Sequence, residues 1–229
     1  MGFGVLLLST RLATEAYVSL LEKTKCNDIL TIASSAKAIA AIQAVRPCNQ
    51  YLIPEKSVYD VPSQTKASEA SGPHMSNRIA FIIHSSGSTG LPKPIFQTHK
   101  SCLSNYANGS GFRAFLTLPL YHNHGLSTFW RSIYKTKPIS LYSASLPLSE
   151  SNLVAAMEAS QPESFHGVPY ALKLLSESER GIAALRKCKL VLFGGSSCPD
   201  DLGDKLVNAG VYVVSHYGAY VILPSHMIF

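Results

Sequence analysis

Charge is scarce in this sequence: Asp, Glu, Lys and Arg make up 15% of its 229 residues, against 46% that are apolar. A chain this rich in apolar side chains and poor in charge buries a core, which excludes disorder as its main state. The 20 basic and 14 acidic residues leave a net charge of +6, spread thinly along the chain. No dense Lys/Arg block occurs, which argues against a nucleic-acid surface and still suits a small anionic ligand. There is no Cys-x-x-Cys pair. Cys26, Cys48, Cys102, Cys188 and Cys198 are odd in number and scattered, which argues against a disulfide framework or a zinc finger and for reduced thiols in a cytoplasmic setting. No apolar run reaches the length of a membrane span. The opening eight residues lack the basic leader of a signal peptide, and Leu6 stands where a myristoylation signal needs Ser or Thr. Repeats and low-complexity tracts are absent, and the length suffices for one large or two modest domains.

What is present is alternation. Short apolar strands are expected at 5–8, 29–33, 80–83, 114–119, 139–142, 164–167, 189–193 and 211–214, separated by helical patterns. Helices are expected at 14–25, capped by Thr14, and from a cap at Ser34 or Ser35 to Pro47, with Ala36, Ile39, Ala40, Ile42 and Ala44 forming a broad apolar face. Further helices fall at 99–106, 126–134, 151–159, 170–178 and 200–208. Strand following helix in this order predicts an α/β fold of mostly parallel sheets with flanking helices. Residues 54–77 carry Pro, Ser, Lys and Glu without periodicity and read as a loop or linker.

The stretch Phe81-Ile-Ile-His-Ser-Ser-Gly-Ser-Thr-Gly-Leu-Pro-Lys-Pro94 is a buried strand emptying into an anion-binding loop. Gly87 and Gly90 free the backbone to turn N–H groups toward a ligand. Ser85, Ser86, Ser88 and Thr89 add hydroxyl donors and Lys93 a positive charge. It is not a Walker loop, because Lys93 stands three residues beyond Gly90 between two prolines, where no helix starts. The helix at 99–106 is expected to set its N-terminus beside the loop.

From Ser85 to Lys93 the loop resembles the phosphate-binding motif of the adenylate-forming superfamily: acyl-CoA synthetases, peptide-synthetase adenylation domains and aminoadipate-reductase-like enzymes. Pro94 replaces the final glycine, a variant similar to the reductase-like branch. Pro119-Leu-Tyr-His-Asn-His-Gly125 resembles the family segment lining the acid's pocket, which implies that His122 sits beside the acyl group. For the same segment, zinc held by His122 and His124 on one side of an extended stretch, or a purely structural role for these histidines, stays open. Gly194-Gly-Ser-Ser-Cys-Pro199 resembles the family's adenine segment, implying Gly194, Gly195 and Ser196 as adenine contacts. Ser215-His-Tyr-Gly-Ala219 resembles the start of Tyr-Gly-x-Thr-Glu, implying adenine contact by Tyr217 and Gly218.

The resemblance implies an AMP-forming ligase that uses ATP and Mg²⁺ to activate a carboxylic acid and pass it to a thiol, either coenzyme A or a carrier-domain phosphopantetheine. It assigns Lys93 and His122 as catalytic groups. Tyr220 and Val221 stand where threonine and the magnesium-holding glutamate are expected, and valine offers no oxygen to a hard cation. The expectation is therefore a partial adenylation domain over residues 1–229, without the small C-terminal domain and its lysine, with little turnover by itself. The alternatives are a non-catalytic nucleotide-binding module and an unstable truncated product.

Overall fold

The computed structural model describes residues 3–60, 76–85 and 90–216. They form two compact units, Met1–Lys100 and Ser101–Phe229. The fold is α/β, and all strand pairs but one are parallel among the described residues.

In the first unit, β1 (Val5–Leu6) leads into α1 (Thr14–Thr24), β2 (Asp28–Thr31), α2 (Ala36–Gln43) and β3 (Asn49–Leu52). Thr14 is the first helical residue rather than the cap; Ala13 holds that position, and Ser35 before α2 makes no side-chain cap bond. Only a narrow stripe of α2 is buried, Ile39 and Ile42 packing with Val18, Leu21 and Ile29. Ala36, Ala40 and Ala44 are exposed, because α2 packs through one stripe and leaves the rest of the expected face to solvent. The strand β3 has no apolar alternation and all four residues are exposed, so periodicity cannot reveal it. Backbone pairing with β2 holds it, helped by the Asn49 Nδ2 bond to Asp28 Oδ1 (2.9 Å).

The first unit ends in β4 (Ile79–His84) and β5 (Pro94–Thr98), the antiparallel pair, with β1 on the other side of β4. Sequence reading misses β5 because a proline opens it and its residues are half-buried without regular alternation.

The second unit is a five-stranded parallel sheet. Its strands are β6 (Ala114–Leu116), β7 (Ile139–Leu141), β8 (Ser164–Gly167), β9 (Leu190–Phe193) and β10 (Val213–Ser215), in the order β10-β9-β8-β6-β7. The helices of this unit are α3 (His99–Tyr106), which begins at the end of the first unit, α4 (Asn123–Tyr134), α5 (Glu150–Ser160), α6 (Pro169–Ser176), α7 (Glu179–Arg186) and α8 (Asp200–Asn208). Alternation along the strands separates two faces. Phe115, Phe165, Val191 and Phe193 lie on one, packed with Leu153, Met157, Leu172, Leu175, Leu185 and Leu206 from α5 to α8. Each such side chain contributes roughly 1.5–3 kcal/mol by leaving water, so this face holds the unit together. Ala114, Leu116, Ser164, His166, Leu190 and Leu192 alternate onto the other face.

The expected helix at 170–178 is α6, and a second helix, α7, follows it where none was expected. Ser178 is the N-cap of α7: its hydroxyl accepts from the Gly181 N–H (2.9 Å) and donates to the Glu150 carboxylate. The polar run Ser176-Glu-Ser-Glu-Arg180 separates the two helices, and Gly181 lets them pack closely, since a Cβ there would lie 2.1 Å from the Leu175 carbonyl oxygen. All five cysteines carry free thiols, and among the described residues no helix is long and apolar enough to cross a membrane. Gly181→Ala is expected to destabilise the chain by about 1–3 kcal/mol, the usual cost of overpacking. A urea midpoint equal to wild type would count against this close packing of α6 on α7.

Candidate functional site

Two sets of motif residues lie in the two units. In the first, the chain between His84 and Pro94 is the connection of an antiparallel hairpin, since these two residues are partners in the β4–β5 register. Its base is closed by a reciprocal clasp: Ser85 N–H donates to the Lys93 carbonyl (3.0 Å) and Lys93 N–H to Ser85 Oγ (3.0 Å). Buried His84 steadies it. Its Nε2 accepts from the Ser9 N–H (3.1 Å), so Nδ1 carries the proton and donates to the Ser85 carbonyl (2.9 Å). Sequence reading passed over this histidine as a strand residue. Gly90 has φ +141° with open space around it, a conformation rather than a close contact that calls for glycine. The Lys93 side chain is exposed. Ser86, Gly87, Ser88 and Thr89 lie outside the described residues, as do Tyr217 and Gly218.

One expectation about this loop is corrected. The helix α3 does not begin beside it. The strand β5 runs back along β4, and His99 N–H donates to Arg78 at the far end of the hairpin, roughly 17 Å away for a five-residue strand. Dipole attraction from α3 is lost over that distance.

In the second unit, all five parallel strands present their carboxyl ends on one edge, where the loops after β6, β9 and β10 emerge together. Such an edge is where open α/β sheets bind ligands. The loop after β6 carries His122 as the N-cap of α4, its ring 4.7 Å from that of Tyr121. Gly125 is required there, because a Cβ would lie 2.3 Å from the Pro119 carbonyl oxygen. The helix starts earlier than its apolar pattern indicates, so His124 is in its first turn. The extended His-x-His geometry of the zinc alternative is thus not formed, and among the described residues no cluster of three His, Cys, Asp or Glu is placed to hold a metal ion.

The three loops touch. A Cβ on Gly194 would lie 2.8 Å from the His216 carbonyl oxygen and 3.2 Å from His124 Nδ1, so only glycine lets them close. The His124 and His216 rings meet edge to face at 4.7 Å. Gly194 N–H donates to Gly167 (3.2 Å) and His216 N–H to Phe193 (2.7 Å), continuing the sheet into the loops. Gly195 has φ +89°, and it and Ser196 are exposed. The structure therefore brings together the segments holding His122 and Gly194 to Ser196, with His216 next to Tyr217.

A polar cluster extends from this edge under α4. The His166 ring stands 6.1 Å from that of His124, and its Nε2 is bonded to Ser164 Oγ (3.1 Å). His124 Nε2 and His166 Nδ1 are sealed from solvent without a hydrogen-bond partner. Desolvation, reinforced by neighbouring positive charge, pushes His124 down to about 2 and His166 to about 3, and lowers His216 as well. All three are neutral imidazoles at physiological pH, able to donate or accept a hydrogen bond. Beyond the motif histidines, sequence reading did not single out His166 or Arg131. The signals were a histidine alternating with Phe165 in an apolar strand, and an arginine seven residues after His124 on the same helix.

A family model described as AMP-binding enzyme matches residues 1–220. A non-ribosomal peptide synthetase of Acremonium egyptiacum is 31% identical across 100% of this chain and 22% of its own length. An adenylate-forming reductase of Aspergillus terreus is 30% identical over 67% of this chain and 15% of its own, and a carboxylic acid reductase of Neurospora crassa 28% over 97% and 23%. The chain thus spans less than a quarter of these relatives. Among solved structures, the luciferase-like enzyme of the Zophobas morio mealworm matches with a TM-score of 0.76 at 20% identity, over 92% of this chain and 53% of its own. ATP-bound MatB from Rhodopseudomonas palustris matches at 0.75 and 20%, over 95% and 45%. Both share the fold.

The neutral histidines make stability depend on pH. Released by unfolding they protonate near pH 6.5, whereas folded His124 and His166 stay neutral down to about 2 and 3. The unfolded state then binds more protons, so stability is full above pH 6.5 and falls on acidification toward the folded values. Between pH 7.5 and 5 each ring contributes a loss of about 2 kcal/mol. His166→Gln is expected to make the fall shallower by about that amount; equal slopes of urea midpoint against pH would refute the assignment.

Proposed function

Since this chain belongs to the AMP-binding enzyme family, we propose that it forms the ATP- and acid-binding part of an enzyme that activates a carboxylic acid as its acyl-adenylate. The observation that carries this reading is the meeting of three loops at one sheet edge, with His124 and His216 closing on Gly194. In the reaction a carboxylate oxygen attacks the α-phosphorus of ATP, the bond to the bridging oxygen breaks, and pyrophosphate leaves. The acyl-adenylate is then attacked by a thiol, of coenzyme A or a phosphopantetheine arm, and AMP departs.

Lys93 and the donors of the hairpin loop, Ser85, Ser86, Ser88 and Thr89 with the backbone freed by Gly87 and Gly90, hold the β- and γ-phosphates in this reading. Phosphoryl chemistry asks mainly for positioning and charge neutralisation, and the bonds between Ser85 and Lys93 fix the base of the loop that carries those donors. Ser85 still has its own hydroxyl proton to give. Gly194, Gly195, Ser196, Tyr217 and Gly218 receive the adenine, and His122 borders the acyl group. The Mg²⁺ of the family lacks an oxygen ligand at Val221, and no carboxylate cluster among the described residues supplies one. That substitution supports low turnover by this chain alone and favours a second reading, a module that binds nucleotide without reacting.

Titration calorimetry with ATP and ATP–pyrophosphate exchange over a panel of carboxylic acids separate the two readings. Lys93→Ala is expected to weaken ATP binding roughly 10- to 100-fold, the worth of a hydrogen bond to a charged group. Exchange above background supports the enzyme, binding without exchange supports the module, and no binding at millimolar ATP removes both.

A further inference from the structure

At the end of the second unit's sheet opposite the loop edge lies a cavity that the motifs do not use. It sits between α4, residues 108–112 and the starts of β6 and β9, and has about 70 Å³ open to the centres of water molecules. A single water requires roughly 10–15 Å³ of such space, so the cavity takes about five to seven non-hydrogen atoms. Asn108 and Ser110, both exposed, form its wall toward solvent.

The lining is of two kinds. Phe112, Ala114, Leu190 and Leu192 are apolar, whereas Arg131, Thr128 and Ser110 bring donors. Arg131 is half-buried, and its Nε donates to the Asn105 carbonyl (3.3 Å). That bond leaves the terminal fork of the guanidinium, Nη1 and Nη2, without a hydrogen bond or ion pair among the described residues. Guanidinium does not shed its proton, so removal from water has to be compensated by an anion. Buried Thr128, one turn earlier on α4, lines the same space with its hydroxyl.

The surroundings are positive as well. Gly109 lets its loop lie directly on α4, since a Cβ there would stand 3.1 Å from the Arg131 carbonyl oxygen and from Lys135 Cγ. The Lys189 ammonium is 5.5 Å from the centre of the Phe112 ring. On this edge the Glu163 carboxylate is already engaged by Arg113 and Lys189.

Size and charge together select the ligand. A phosphate dianion would exceed the single guanidinium and set unpaired oxygens against apolar walls, and chloride would leave most of the space unfilled. A carboxylate gains two parallel hydrogen bonds from the fork and matches its charge, while a short alkyl chain is favoured by the apolar part. We infer that this cavity is a second ligand site, apart from the loop edge, for a short monocarboxylic acid of about three or four carbons, with its carboxylate on the Arg131 fork and the Thr128 hydroxyl and its alkyl end on the apolar walls. The inference does not depend on the adenylate reading.

The test is a ligand-observed NMR titration of the full chain, without nucleotide, using propionate, butyrate and hexanoate. Propionate and butyrate are expected to bind roughly tenfold or more tighter than hexanoate, which exceeds the space available. Arg131→Met is expected to weaken them roughly tenfold or more, the worth of a hydrogen bond to a charged group, and Arg131→Lys to keep part of the binding. Should Arg131→Met fail to fold, Arg131→Gln removes the charge while retaining a donor for Asn105 and decides the matter equally. Chloride and inorganic phosphate at the concentration of propionate are expected not to displace it, and His122→Ala, at the loop edge, to leave its binding unchanged. No binding, hexanoate binding as well as propionate, displacement by either inorganic anion, or binding that survives loss of the Arg131 charge each overturn the inference. Binding that His122→Ala abolishes and Arg131→Met spares belongs to the loop edge and overturns it too. None of these outcomes touches the adenylate reading, which the ATP titration decides.

Discussion

Gly194 has no room for a side chain. The carbonyl of His216 and the ring of His124 occupy the space a Cβ would need, and through that one contact three loops from strands β6, β9 and β10 become a single surface. The sheet makes this geometry available: five parallel strands send all their carboxyl ends to one edge. The helix start at His122 makes it close, because Gly125 lets α4 rest directly on the Pro119 carbonyl and so turns His124 inward.

The two faces of that sheet differ in polarity. One is closed by the aromatic and aliphatic side chains of β6, β8, β9 and α5 to α8, with Phe115 and Phe165 stacked at 5.9 Å. The other carries Ser164, His166 and, from α4, Thr128, Arg131 and Ser132. Such groups weaken a core when unmatched. Keeping the imidazoles neutral limits the desolvation cost of the two ring nitrogens that are sealed from solvent without a hydrogen-bond partner.

The hairpin of the first unit solves a different problem. A loop rich in glycine and serine has high conformational entropy. The clasp between Ser85 and Lys93, with His84 bonded on both ring nitrogens, removes part of that freedom.

Much of this was legible in the residue order. The alternation of apolar strands and helices predicted the parallel α/β class, and the strand 164–167 and the helices near 99–106 and 200–208 agree with the structure. What sequence alone could not give depended on long-range pairing. The antiparallel return of β5 carries no periodic signal, yet it moves α3 to the far end of the hairpin. The exposed strand β3 is held mainly by backbone bonds to β2. His166 and Arg131 lie 35 residues apart in sequence and line one cavity only because β8 pairs beside β6 and α4 crosses that face. Local chemistry dictates which segments turn, alternate and attract charge; which of them meet is decided by strand order, and strand order is a property of the folded sheet.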